Sequence, residues 1–343
     1  MKHRFSFLFA ALLLLPATQT LAQNSAADTL TALESHSLAR ADGSPAFHLK
    51  ADFQASGNVE FKGAGTYEEW WLSPSRWRKE VTLGKYHLVL LCVDGKITRD
   101  STEDYIPMRV YQLLTNVLPA LPTQQEMADD GGWSSSMVKV KNVDLIRLAG
   151  HGDPPKDGKL VPPEYAYYVD PQRNVVQLHE RGFDLYIYDK PGKLTDRSVM
   201  LDGKLLRNGK TALEFHITSL TAISTPDNAL FQVSSAAKPG FEFGIPSHEF
   251  WKPPVRVLGQ VDRRRLRQRG APSEVIAGMQ LDPTGAVREV DPIFSTDSIV
   301  TDYVTYDLHH FKYAATVVDG IPVTAYQTYT TKEGAHEMWR SIR

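Results

Sequence analysis

A strict alternation of apolar and polar residues over 47–55 constrains the fold of this chain more than any other feature. The apolar members are Phe47, Leu49, Ala51, Phe53 and Ala55. Because successive side chains of a strand point to opposite faces, this pattern is typical of an antiparallel strand with one face on a core. Val59 and Phe61 resume the alternation after a Ser-Gly-Asn turn, which predicts a hairpin.

Three of the six tryptophans follow in the stretch GTYEEWWLSPSRWRKEV. The stretch predicts a strand, a turn at Ser73-Pro74-Ser75 and a return strand. Tyr67, Glu69 and Trp71 then share one face, and Trp70 lies on the other. Trp70 and Trp71 therefore cannot form one binding patch. We expect one of them to face the concave side of a sheet and the other to lie at its rim or under a helix.

The region 28–235 predicts one many-stranded antiparallel sheet with one or two helices. Leu30, Leu33 and Leu38 have helix-compatible spacing, and a helical stripe covers 108–118, where Pro107 suits the first turn. Further strands are expected at 86–93, 137–143, 165–169, 175–179, 183–188, 198–201 and 213–220.

A second, smaller α+β unit is predicted after a proline-rich boundary at 236–254. Two strands at 275–281 and 286–290 flank an Asp-Pro-Thr-Gly turn. A helix follows, capped at 295–297 and carrying Val300, Val304 and Leu308 on one face. Strands at 311–316 and 322–329 complete the unit. The predicted organisation is a signal peptide at 1–22, a first domain at 23–235, a linker at 236–254 and a second domain at 255–343.

The first 22 residues have the layout of a secretory signal peptide: a charged start, an apolar run at 5–15 and small residues around Ala22. The run is shorter than the roughly 20 residues of a transmembrane helix. We expect a periplasmic protein, membrane-anchored only if the signal is not cleaved. The formal net charge of −2 gives no electrostatic reason to expect a nucleic-acid partner. The single Cys92, in an apolar run, is expected to be a small buried hydrophobe.

The C-terminal unit resembles the C-terminal domain of the energy transducer TonB. The matching residues are the Asp282–Gly285 turn, 311–315 and the 319–323 opening of the last strand, although Ala271–Val275 departs from the usual start of the first strand. The resemblance implies a non-enzymatic module that binds envelope proteins, such as outer-membrane transporters. An extended peptide of the partner would pair with the edge of the module's sheet, which would link the protein to transmembrane transport. The candidate pairing edge is Pro322, Val323, Thr324, Ala325, Tyr326, Gln327, Thr328 and Tyr329.

The N-terminal region resembles the lipoprotein carriers LolA and LolB. The resemblance rests on Gly65, Ser73–Arg78, Val93–Lys96 and Val169–Pro171. It implies an antiparallel half-barrel covered by helices, with an apolar cavity for acyl chains. The alternative function is therefore a periplasmic lipid or lipoprotein carrier. The residues expected to line its cavity are Phe53, Trp71, Trp77, Tyr167 and Tyr186.

No motif assigns a catalytic, cofactor-binding or metal-binding residue, so an envelope hydrolase is the weakest of three hypotheses. His309 and His310 are adjacent at a helix end, so their rings point in different directions and joint metal binding is not expected. His151-Gly152-Asp153 has no nucleophile motif to serve, and His336-Glu337 lacks a second histidine. The basic run at 263–269 is interpreted as a solvated face, with a lipid headgroup, peptidoglycan or acidic-partner surface as the functional alternative.

Overall fold

A computed structural model gives the fold of the chain. The structure describes residues 25–38, 40, 43–129, 132–150, 165–181, 184–207, 209–241, 255–261, 275–318 and 320–331. The signal peptide, His151–Asp153, the basic run and His336-Glu337 lie outside these ranges.

A thirteen-stranded antiparallel sheet makes up most of the described chain. Its strands are β1 (Phe47–Ala55), β2 (Gly63–Ser73), β3 (Arg76–Leu83), β4 (Tyr86–Val93), β5 (Lys96–Ser101), β6 (Trp133–Val140), β7 (Val143–Gly150), β8 (Ala166–Asp170), β9 (Val175–Arg181), β10 (Asp184–Leu194), β11 (Arg197–Arg207), β12 (Lys210–Ala222) and β13 (Lys238–Pro239). Their order across the sheet is β13-β5-β4-β3-β2-β1-β12-β11-β10-β9-β8-β7-β6.

The alternation in β1 sets which face of this sheet is buried. Its odd-numbered side chains are buried, and Phe47 stands opposite Trp71 in the register. Trp71 is buried while Trp70 on the other face is half-buried, which confirms that the two rings form no common patch. Trp70 instead stacks on His48, with ring centroids 4.8 Å apart.

Within the described residues, three α-helices accompany the large sheet: α1 (Ala26–His36), α2 (Met108–Asn116) and α3 (Gln124–Asp129). Helix α1 begins with a capping box, in which Ser25 and Asp28 satisfy each other's backbone N–H groups. All nine residues of α2 are buried. Buried side chains of α1 and α2 join the core cluster formed by the buried face of the sheet.

The C-terminal residues form a separate sheet with the order β16-β15-β20. Its strands are β15 (Val275–Leu281), β16 (Val287–Ser295) and β20 (Ala325–Thr330). Helix α4 (Ser298–His309) packs Val300, Val304 and Leu308 into a second core cluster with one face of this sheet. Short pairs β14 (Arg256–Leu258) with β17 (Lys312–Tyr313), and β18 (Thr316–Val318) with β19 (Ile321–Val323), lie beside it.

The predicted mixture of a large antiparallel sheet and a small α+β unit is thus confirmed in outline, whereas several strand bounds were wrong. The predicted strand at 137–143 runs through a turn at Lys141-Asn142, which separates β6 from β7. The predicted hairpin partner at Val59 and Phe61 is irregular, and pairing with β1 begins only at Gly63. The expected strand 311–316 is divided into β17 and β18. Strand β5 and helix α3 had not been predicted.

Candidate functional site

The five predicted cavity residues all belong to the core cluster on the buried face of the large sheet. Trp71 and Trp77 are register partners on β2 and β3. Tyr167 and Tyr186 lie on either side of the His179 ring, with centroids 4.4 Å and 5.7 Å from it. Phe53 packs against the backbone of Gly65, where a Cβ atom would lie 2.3 Å from its ring. These residues therefore pack in three separate places: Phe53 lies six residues along β1 from Phe47, the register partner of Trp71.

A small apolar cleft with a cavity volume of about 20 Å³ opens elsewhere on the same face. It lies between the end of α1, the segment that follows α2, and strands β9 to β11. None of the five predicted cavity residues lines it. Ten apolar residues and two serines do: Leu38, Val117, Leu118, Pro119, Leu121, Val175, Val176, Tyr188, Val199, Met200, Ser37 and Ser198.

The α1 wall of the cleft is attached to the first residues of β11. The backbone N–H of Leu38 donates to the carbonyl of Ser198 at 2.7 Å. The Arg197 guanidinium donates to the carbonyl of Glu34 in the last turn of α1 at 2.5 Å. The end of a helix carries carbonyls without intrahelical partners, so this contact satisfies one of them while it fixes the wall.

The opposite wall, at 117–121, is held by the side chains of Arg40 and Tyr167. Arg40 donates to the carbonyl of Leu118 at 2.9 Å, and Tyr167 donates to the carbonyl of Ala120 at 2.5 Å. Arg40 also binds both carboxylate oxygens of the buried Glu69, at 2.7 and 2.9 Å. Burial alone would raise the pKa of Glu69, but the cations Arg40 and Lys79 outweigh it and the pKa is lowered. The wall therefore rests on an ionised pair.

Helix α2 connects this wall to the C-terminal sheet. Its N-cap residue Pro107 offers no side-chain cap. Instead, Glu289 of β16 accepts a hydrogen bond from the Met108 backbone N–H at 2.6 Å. The hydroxyl of Thr324 accepts one from Ile106 at 3.1 Å. A carboxylate is favourable at a helix N-terminus because the unpaired N–H groups carry partial positive charge.

A buried ionic network lies beside that helix end. Asp291 of β16 accepts from Arg109 of α2 at 2.5 Å and from Arg207 of β11 at 2.7 Å. Arg207 also binds Asp184 of β10 through both carboxylate oxygens, at 2.7 and 3.2 Å. The phenol of Tyr326 on β20 accepts from Arg207 at 2.6 Å. The two guanidiniums and two carboxylates balance in charge, and all four side chains are buried.

The network keeps its carboxylate ionised. Burial pushes the pKa of Asp291 upward, but the charges of Arg207 and Arg109 outweigh burial and lower it. Burial lowers the pKa of Arg109. Burial acts in the same direction on Arg207, but Asp184 and Asp291 outweigh it, and the pKa of Arg207 is raised well above its usual value. Glu289 differs, because burial dominates there and its pKa is raised.

The predicted peptide-pairing edge spans β19 and β20, with Thr324 between them. Strand β20 ends the three-stranded sheet among the described residues, and it pairs with β15. Yet Thr324, Ala325, Gln327 and Thr328 are buried, and Tyr326 stacks on Tyr111 of α2 at 6.5 Å. Pairing of a peptide with this strand stays a prediction, and it requires these residues to become uncovered.

Sequence patterns missed the residues of the cleft and of the ionic network. A usable signal was nonetheless present for Asp184 and Arg207. Asp184 lies on the same strand face as the buried Tyr186, and Arg207 lies on the same face as the buried Leu205. A charged residue therefore occupies each position where the alternation predicts an apolar side chain. A charged residue at such a position indicates a buried partner. Arg109 stands likewise within a helix in which every residue is buried.

Within the described ranges, no group of three or more His, Cys, Asp or Glu residues is arranged to hold a metal ion. No helix in those ranges is long and apolar enough to cross a membrane. Cys92 is buried, as expected.

Comparison with known proteins gives no family model that matches the chain and no match among curated proteins. Solved structures do match. A LolA superfamily protein from Nitrosomonas europaea is similar at 10% identity with a TM-score of 0.38, covering 61% of this chain and 98% of that one. A DUF1329 family protein from Desulfovibrio piger is similar at 9% identity and TM-score 0.38, covering 60% and 95%.

MucB, from the MucA/MucB complex of Pseudomonas aeruginosa, is similar over a longer stretch. Its identity is 14% and its TM-score 0.31, and the alignment covers 84% of this chain and 99% of that one. The resemblance of the N-terminal region to lipoprotein carriers stays a prediction. The resemblance to a TonB C-terminal domain stays a prediction.

Proposed function

We propose that this protein is a periplasmic carrier that binds an acyl chain of a lipid or lipoprotein in the cleft between α1, the 117–121 segment and β9–β11. The observation that carries the proposal is the cleft lining, in which ten of twelve residues are apolar and no residue is charged. Ligand sites are typically concave and apolar, with few polar groups. The cavity of about 20 Å³ is smaller than an acyl chain, so the proposal requires the walls of the cleft to move apart on binding.

The chemistry of the lining favours a flexible hydrocarbon chain. Burial of each methylene contributes about 0.8 kcal/mol, so six buried methylenes contribute roughly 5 kcal/mol before the costs of association. Ser37 and Ser198 supply hydroxyls, and the thioether of Met200 can adapt to chains of different shape. Both walls are held by hydrogen bonds to backbone carbonyls, so the buried hydrocarbon must also offset the cost of moving a wall outward.

The proposal is tested by titrating the purified chain with the fluorescent apolar probe N-phenylnaphthylamine and displacing it with palmitate. Val199→Phe fills the cleft and is expected to weaken palmitate binding at least tenfold. The matched control is Val233→Phe, because Val233 is 53% exposed and does not line the cleft. Thermal melts of both variants report whether each still folds, since overpacking costs about 1–3 kcal/mol.

Two results contradict the proposal. One is a wild-type chain from which palmitate displaces no probe. The other is a folded Val199→Phe variant that binds palmitate as tightly as wild type. A second titration with a synthetic triacylated peptide separates the two sources of acyl chain: tighter binding of the peptide indicates a lipoprotein, and equal binding indicates a free lipid.

A further inference from the structure

The two outermost strands of the large sheet differ strongly in length and composition. At one edge, β13 has only two residues and ends in Pro239. Proline cannot donate a backbone hydrogen bond, and a lysine beside it further discourages pairing. At the other edge, β6 has eight residues, with the sequence WSSSMVKV. Its pairing with β7 continues from Trp133 to Val140 without a bulge.

Within the described residues, strand β6 has few of the devices that normally protect an edge. It contains no proline and one charged residue, Lys139. Ser134, Met137 and Lys139 are exposed, and the side chain of Met137 is 49% accessible. Among the described residues β6 has β7 as its only strand neighbour. A long, regular edge of this kind presents a row of backbone donors and acceptors to an incoming strand.

We propose that β6 pairs with β6 of a second copy of this chain, antiparallel and across a two-fold axis at Ser136. An axis perpendicular to the sheet keeps the faces aligned, so residues of equal parity meet. Ser136 then faces itself, Ser135 faces Met137, and Ser134 faces Val138. Trp133 faces Lys139, which places an ammonium beside an indole and leaves no like charges opposite each other.

A second copy fits this edge better than an unrelated peptide. Strand-addition sites obtain specificity from pockets that receive alternate side chains of the guest. Neither of the two described pockets touches β6, and three of its eight residues are serines. Self-pairing needs no such pocket, because the Trp133–Lys139 contact occurs twice. It forms about six to eight backbone hydrogen bonds and joins the two exposed long edges to each other.

Helix α1 does not block the pairing of β6 with a second copy. It approaches β6 on one face only, where the hydroxyls of Thr29 and Ser135 lie 3.3 Å apart. Lys139 pairs with Asp144 at 3.6 Å in the monomer, but both side chains are more than 60% exposed. An exposed pair of this kind is weak and easily exchanged for a new contact.

The test is the mass of the full chain in solution, measured by sedimentation equilibrium between 1 and 100 μM. Wild type is expected to dimerise. Ser136→Asp and Ser136→Lys each place like charges opposite each other at the axis and are expected to weaken the dimer at least tenfold. An equimolar mixture of the two variants pairs opposite charges and is expected to restore a dimer. The matched control is Thr82→Asp, an exposed position on the interior strand β3.

A wild-type chain that stays monomeric at 100 μM overturns the proposal. Dimers that persist in both charged variants place the interface elsewhere and overturn it as well. If both variants are monomeric and their mixture does not recover, β6 does not face itself, and a different occupant must be sought. Circular dichroism identifies a variant that fails to fold, and the other variant then still decides between the outcomes.

Discussion

Replacing Asp291 by asparagine tests the ionic network that joins the C-terminal sheet to α2 and β11. The substitution keeps the shape of the side chain and removes the charge that Arg109 and Arg207 share, at 2.5 and 2.7 Å. After the substitution, the network contains two buried guanidiniums and the carboxylate of Asp184. Arg207 retains that partner, whereas Arg109 keeps only neutral acceptors, the carbonyl of Ser56 and the amide of Gln112.

The expected loss of unfolding free energy is large because one partner is removed from a buried pair. Such removals cost about 3–5 kcal/mol, since the remaining charge stays desolvated. Asp291 binds two arginines, but the losses from the two ion pairs do not add, because Arg207 still binds Asp184 after the substitution. We therefore expect about 3–5 kcal/mol at neutral pH, which is a large part of the stability of an ordinary domain.

Urea unfolding, followed by tryptophan fluorescence and far-ultraviolet circular dichroism, measures this loss. The fluorescence of Trp71 and Trp77 reports on the core of the large sheet, whereas circular dichroism reports on the secondary structure of both sheets. If the two sheets unfold separately, the two signals therefore change at different urea concentrations. The matched control is Asp144→Asn, which removes a carboxylate that is 66% exposed and is expected to cost less than about 1 kcal/mol.

The pH dependence gives an independent check. Because the pKa of Asp291 is lowered in the folded chain, its contribution is present above the ordinary aspartate pKa and is lost as the pH falls through the folded value. The difference between wild type and Asp291→Asn should therefore shrink in acid. A loss below about 1 kcal/mol at pH 7, or a difference that grows in acid, would refute the reasoning.

Two further predictions concern Glu289 and Gly285. Since burial raises the pKa of Glu289, its ionised form carries a cost in the folded chain that grows as the pH rises above about 4.3. Glu289→Gln keeps an acceptor for Met108 and should gain stability relative to wild type from pH 4 to 7 in urea titrations; a relative loss contradicts this. Gly285 has φ +83°, and a Cβ there would lie 2.1 Å from the Tyr313 carbonyl oxygen. Gly285→Ala should therefore lower the melting temperature clearly more than Gly320→Ala, where φ is +78° and nothing lies within 4 Å; equal losses would show that the close contact is relieved at no cost.

The sequence was informative where side-chain periodicity is local. Strand β1 could be predicted from its alternation, and α4 from the Asp297 cap and its apolar spacing. The β6–β7 turn escaped prediction because it contains no glycine: Lys141 and Asn142 both adopt positive φ, at 47° and 69°. Strand β16 continues through Pro292, a residue normally interpreted as a break, which an outer strand of the sheet tolerates.

The candidate sites depend on contacts that no local pattern encodes. The cleft is assembled from the end of α1, the segment after α2 and three strands, so its lining residues are far apart in the chain. The five predicted cavity residues were chosen as large aromatics on the buried face. Large rings fill space, however, and the open cleft is lined mainly by valine, leucine and other side chains of moderate size.

The hydrogen bonds at the start of α2 carry a consequence for the order in which the chain folds. Met108 bonds to a residue 181 positions later, Arg109 to one 182 positions later, and Ile106 to one 218 positions later. During synthesis or export from the N-terminus, α2 therefore emerges long before its acceptors. Contacts of such sequence separation form slowly, and until then the helix has an uncapped end beside an incomplete core. The last third of the chain thus sets the time at which the first two thirds can finish folding.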